Sequence, residues 1–173
     1  MSEELTWPPN PFSWGSLISP EWVGGRAKEI AELYAAFRGA TEAFSVRGPR
    51  GIGKTALVRK FLNDVQAEAR GLYLDVRDLV PIGELDHPKK ALQQIAYGIA
   101  DELSFRELLP KQVHVEEIND RVLIHDVLAE ICQPSKPRLV IVLDEFDLLA
   151  KTTIQHVWRF FGRARELPRA PLF

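Results

Sequence analysis

The chain has 173 residues, 46% hydrophobic and 27% charged, with a formal net charge of −2, which suits one soluble domain with a real core and lacks the basic excess of a domain that binds nucleic acid by itself. One cysteine, Cys132, excludes an internal disulfide and a multi-cysteine zinc site. No apolar run approaches a spanning helix, and the acidic start, Met1-Ser2-Glu3-Glu4-Leu5, lacks a signal-peptide core, so the expectation is a cytoplasmic protein with no membrane partner.

In chain order, Trp7-Pro8-Pro9-Asn10-Pro11-Phe12-Ser13-Trp14 is rich in proline and aromatic rings and cannot form a helix. Residues 1–21 are therefore expected to form an arm laid across a domain of residues 22–173, with a partner-binding peptide as the alternative. Ile30, Leu33, Tyr34 and Phe37 then recur at helical spacing, with Gly39 as a stop. Ala43 to Arg47 reads as a short strand. It runs into Gly48-Pro49-Arg50-Gly51-Ile52-Gly53-Lys54-Thr55, which fits the phosphate-cradling pattern G-x-x-x-x-G-K-[ST]. Gly48, Gly51 and Gly53 allow positive φ and close approach of backbone N–H groups to phosphate oxygens. Leu57, Val58, Phe61, Leu62 and Val65 place a helix directly after the loop, with its positive end toward the same phosphates. The expected nucleotide-binding stretch is thus Gly48, Pro49, Arg50, Gly51, Ile52, Gly53, Lys54, Thr55 and Ala56, with no special role for the Arg50 side chain. Lys54 is expected to reach the β- and γ-phosphates and to serve catalysis, and the Thr55 hydroxyl to ligate Mg²⁺.

Gly71 to Val76 reads as a second parallel strand, with Asp75 a turn acid at its end or a polar switch residue near the γ-phosphate. Helices are expected over Pro88–Leu103 and Glu117–Cys132, and Pro134-Ser135-Lys136-Pro137 separates the latter from the next strand. Leu139 to Leu143 is a continuous apolar run, as in a parallel strand buried on both faces, and Asp144-Glu145 closes it where ligands bind in open α/β sheets. Asp144 is expected to hold Mg²⁺ through water, and Glu145 to orient or deprotonate an attacking water. A helix N-terminal acid pair is the bland alternative, and Asp147 is expected to cap the next helix. That helix carries Ile154, Val157, Trp158 and Phe161 on one face, and Arg159, Arg163, Arg165 and Arg169, on or just past it, read as a solvated face rather than a nucleic-acid patch or a trans-acting arginine finger. His87, His114, His125 and His156 lack metal-ligand spacing.

The loop and the Leu143-Asp144-Glu145-Phe146-Asp147 stretch resemble those of AAA+ and STAND-type P-loop ATPases, the branch that carries an extra glutamate. Val23-Gly24-Gly25-Arg26-Ala27-Lys28-Glu29-Ile30 is similar to the family's F-V-G-R-x-x-E-L segment, with Val23 and Gly24 standing where Phe and Val are usual. The resemblance implies ATP as the nucleotide, an adenine contact at Val23 and Gly24, and a tie from Arg26 that holds the segment down. It also implies an α/β fold, a three-layer P-loop core with a parallel sheet. In such a core a sensor strand separates the loop strand from the acidic strand. The chain reaches Ala170-Pro171-Leu172-Phe173 where that strand would begin, so the expected core is incomplete. The sensor strand, a fifth strand and the helical lid would be absent and the slot between the motif strands vacant, for completion by more chain, a protein partner or self-association. The functional expectation is Mg-dependent ATP binding with slow hydrolysis that drives remodelling of a protein or DNA assembly, DNA itself being unsupported by charge. The alternative is a nucleotide-operated oligomerisation switch with little turnover.

Overall fold

The structure, a computed structural model, describes residues 25–39 and 43–173. The N-terminal arm and the expected adenine contacts Val23 and Gly24 lie outside the described residues.

Two strands, β1 (Ala69–Asp75) and β2 (Arg138–Asp144), pair in parallel from Ala69↔Arg138 to Asp75↔Asp144, so their carboxyl ends finish level. Alternation along β2 divides the apolar residues between two clusters. Leu139 and Ile141 join Leu72 and Leu74 of β1 in the larger one, whereas Val140 and Val142 join Ala69 in the smaller. By the same parity Asp144 and Tyr73 fall on the face of the smaller cluster.

That face is covered by α1 (Ala27–Arg38), with Leu33 and Phe37, and α2 (Lys54–Asp64), with Leu57 and Phe61. Phe61 stacks edge-on against both Tyr34 and Phe37, at ring-centroid distances of 5.7 and 6.0 Å. Each fully buried Phe or Leu contributes roughly 1.5–3 kcal/mol. α1 stops at Gly39, whose N–H still bonds to Ala35 O before the backbone turns extended. Its last carbonyls are held by Arg138 at the start of β2: the guanidinium donates to Phe37 O and Gly39 O and also to Ala170 O. A buried cation at a helix C-terminus complements the helix dipole.

The opposite face carries the larger cluster. A single turn, α3 (Val76–Leu79), leads from β1 toward α4 (Pro88–Phe105), where Pro88 sits in the first turn, the position it tolerates best. The helix expected over Glu117–Cys132 begins three residues later. Asn119 accepts bonds from the N–H groups of Arg121 and Val122 and so fixes the start; α5 (Asp120–Val122), a π-helical stretch (Leu123–Leu128) and α6 (Ala129–Ile131) come after it without a break. α7 (Lys151–Arg163) packs against α4 with Val157, Phe160 and Phe161 buried. No helix among the described residues is long and apolar enough to cross a membrane.

Two expectations change here. Residues 43–47, expected as a strand, form none: Phe44 N–H bonds to Phe173 O at 2.7 Å, and one such bond is too little for a ladder. The slot expected to be vacant holds residues 171–173 at this level. Leu172 bridges Val140 in parallel, donating to Leu139 O and accepting from Ile141 N–H, and Phe173 passes the contact on to Phe44. The Phe173 ring rests on Phe161, with centroids 4.0 Å apart.

Candidate functional site

The glycine loop sits at the start of α2, and its backbone explains the glycines. Gly51 and Gly53 have φ of 80° and 87°, in the left-handed region that side chains avoid, and Gly53 is the residue from which α2 starts. The loop residues Gly48 to Gly53 are exposed, including Pro49, Arg50 and Ile52, while Lys54, Thr55 and Ala56 lie at the less exposed start of the helix. Lys54 folds back over the loop, its Nζ 3.0 Å from Gly48 O and 3.2 Å from Pro49 O. Its ammonium is thus held against the main-chain carbonyls of the loop. Arg26, just before α1, donates to Ile52 O at 2.6 Å and to Glu29 at 2.8 Å, so the segment ahead of α1 is tied to the loop.

The loop and the acidic strand end meet directly. Thr55 Oγ1 donates to Asp144 Oδ2 at 2.6 Å, across 89 residues of sequence. Asp144 Oδ2 accepts a second bond from the Tyr73 hydroxyl, and Oδ1 accepts the Glu145 N–H at 2.9 Å. Burial alone would raise the Asp144 pKa, but the bonds from Thr55, Tyr73 and the Glu145 N–H outweigh it and hold the carboxyl below its ordinary value. Tyr73 moves the other way: burial first, then its acceptor Asp144, push the phenol up to about 12. At neutral pH the pair is thus a carboxylate and a protonated donor.

Glu145 follows the strand in a left-handed conformation, φ 52° and ψ 32°, a cost of roughly 1–2 kcal/mol for a residue with a Cβ. Its carboxylate lies 3.9 Å from Arg77. Arg77 also pairs with Asp75 at 2.5 Å, and this bond holds the Asp75 carboxyl below its ordinary value. Asp75 further accepts the Arg77 N–H, which makes it the cap of the α3 turn at the strand end. Asp147 does not cap α7: it is exposed in the Phe146–Leu148 turn, and Ala150 occupies the cap position with no side-chain bond.

Thr55 and Asp144 present a hydroxyl and a carboxylate side by side, hard oxygen donors of the kind Mg²⁺ takes together with phosphate oxygens and water. No cluster of three or more His, Cys, Asp or Glu suited to a metal occurs among the described residues, so a cation here would draw its remaining ligands from elsewhere. Two arginines of the C-terminal region are engaged: Arg163 pairs with Asp120 at 3.0 Å, and Arg169 donates to Lys136 O at 2.6 Å and to Pro134 O at 3.3 Å. Cys132 is buried, and burial pushes its thiol up to about 12.

Tyr73 and Arg77 are the site residues that sequence reasoning missed. The signal for Tyr73 was parity, since it alternates with Leu72 and Leu74 and so leaves the face they bury. Nothing in the order of residues marks Arg77.

No curated protein and no solved structure matches the chain. The family model for the AAA ATPase domain matches residues 23–173, a span that takes in every described element, from the helix ahead of the glycine loop to the segment beside β2. The chain belongs to the AAA ATPase domain family.

Proposed function

We propose that the chain binds ATP with Mg²⁺ and hydrolyses it slowly, as an AAA+ or STAND-like member of the glutamate-bearing P-loop branch with a three-layer core. The observation that carries this reading is the 2.6 Å bond from Thr55 to Asp144, which joins the loop to the acidic strand at the level of the sheet's carboxyl ends. In this reading the backbone from Gly48 to Gly53, with Pro49, Arg50 and Ile52 contributing main chain only, surrounds the phosphates and continues into Lys54, Thr55 and Ala56. Lys54 exchanges the carbonyls of Gly48 and Pro49 for β- and γ-phosphate oxygens. Thr55 and Asp144 hold the cation, which when bound neutralises charge on the phosphates. Glu145 orients or deprotonates the attacking water, and Val23 and Gly24 lie against the base. Residues 1–21 act as an arm on the domain of residues 22–173, and the energy drives remodelling of a protein or DNA assembly through self-association or a protein partner.

A second reading is favoured by Arg77. Its guanidinium, 3.9 Å from the Glu145 carboxylate and bonded to Asp75, would compete with a water for the proposed base. A protein held this way is a nucleotide-operated switch, in which ATP organises assembly and turnover is minimal. The test measures ATP binding and hydrolysis by the wild type, Lys54→Ala and Glu145→Gln, with and without DNA. The enzyme reading expects Lys54→Ala to lose binding and Glu145→Gln to bind without turnover. Wild-type binding with no turnover under any condition selects the switch, and an absence of binding overturns both.

A further inference from the structure

We infer that Tyr73 is a positioning residue for Asp144: by donating its phenol proton to Oδ2 beside Thr55, it sets the orientation in which the carboxylate and the Thr55 hydroxyl meet a divalent cation. The inference rests on the Mg-ATP reading above and deepens it.

Three donors from three elements converge on one carboxylate. Thr55 comes from the first turn of α2, Tyr73 from β1, and the Glu145 N–H from the chain just beyond β2. An ionised carboxylate only accepts, so both hydroxyl protons are committed to Oδ2. With its proton on Asp144, Thr55 Oγ1 keeps its remaining lone pairs free, and those are the electrons a cation would take. With Oδ1 fixed by a backbone N–H and Oδ2 by two hydroxyls, the carboxylate has little freedom to turn.

The Tyr73 ring is itself held. The Arg59 guanidinium lies over it, 4.6 Å from the ring centroid. Arg59 stands four residues after Thr55, hence on the same side of α2, one turn along. Helix α2 therefore grips the unit twice, through the Thr55 hydroxyl on Asp144 and through Arg59 on the ring of the other donor. Register completes the arrangement: Tyr73 pairs with Val142, two residues before Asp144, and both side chains lie on the α2 face.

The experiment compares the wild type with Tyr73→Phe, which keeps the ring and removes only the hydroxyl, by equilibrium binding of ATP in excess Mg²⁺ and in EDTA, alongside thermal unfolding. Loss of one hydrogen bond to a charged group is worth about a tenfold change in an equilibrium constant. The expected result is unchanged ATP affinity in EDTA, and about a tenfold smaller gain from Mg²⁺, with half-saturation by Mg²⁺ moved to higher concentration. Arg59→Ala is expected to move the same quantity in the same direction by less. An unchanged Mg²⁺ gain in Tyr73→Phe overturns the inference and leaves Tyr73 a packing residue, as does an equal loss of affinity in Mg²⁺ and EDTA. Wild-type binding that is indifferent to Mg²⁺, or absent, overturns the Mg-ATP reading and this inference with it.

Discussion

Thr153, in the first turn of α7, is fully buried, and its hydroxyl has no hydrogen-bond partner among the described residues. A buried polar group without a partner keeps its desolvation cost, whereas a methyl of the same shape does not. Thr153→Val is expected to stabilise the fold by about 1 kcal/mol, read as a higher midpoint in urea at unchanged slope; a lower midpoint would mean that the hydroxyl is satisfied. Among the site residues, Lys54, Thr55 and Asp144 were legible in the sequence because each has a chemistry tied to a position in a pattern, and the structure brings Thr55 to Asp144. The partners of Tyr73 in the site, and of Arg138 under the end of α1, were not: what a phenol or a guanidinium meets is decided by a neighbouring strand or helix whose distance in sequence carries no local mark.

Among elements, α4 shows how a helix is fitted to its neighbour. A Cβ built on Gly98 would overlap Leu79 Cδ2 and stand 3.0 Å from its Cδ1, so the glycine admits the Leu79 side chain from the α3 turn. Helix propensity favours alanine by roughly 1 kcal/mol, while forcing extra carbon into a packed contact costs about 1–3 kcal/mol. Gly98→Ala is therefore expected to destabilise by about 1 kcal/mol, and Leu79→Ala in the same chain to recover part of that loss. A stabilised Gly98→Ala would show that Leu79 moves aside freely. Elements with a strong period were legible. α1, α2, α4 and α7 follow from apolar spacing, and β2 from an unbroken apolar run. Residues 43–47 carry a strand-like sequence, yet a strand exists only where a neighbour accepts its ladder, and Phe44 finds a single bond on Phe173. The π-helical stretch at Leu123–Leu128 escaped for a related reason, because a 3.6-residue period cannot show where the hydrogen bonds lengthen by one residue.

For the whole molecule, the shifted groups bound a pH window. Asp144, with a folded pKa below its unfolded one, contributes stability that is present above the unfolded value of about 3.9 and lost as pH falls through the folded value. Tyr73 and Cys132 are both raised to about 12, so folding stability begins to fall as pH climbs past their unfolded values, about 10 for the phenol and about 8.5 for the thiol. Denaturant titrations across pH are expected to show a plateau from about pH 4 to about pH 8.5, falling on both sides, with the acid limb shallower in Asp144→Asn. A maximum confined to one side of neutrality would mean that other groups govern the profile. Neither edge could be drawn from composition, because a net charge of −2 is silent about which carboxylate is bonded and which thiol is buried.

The left-handed turn at Glu145 sets durability against chemistry at one position. A glycine there would relax the backbone. Selection for thermal endurance alone, in a laboratory library or over generations, would thus drift toward the residue that cannot act as a base. If Glu145 is the base proposed above, a glutamate at that bend serves its water against the backbone preference of the chain that carries it.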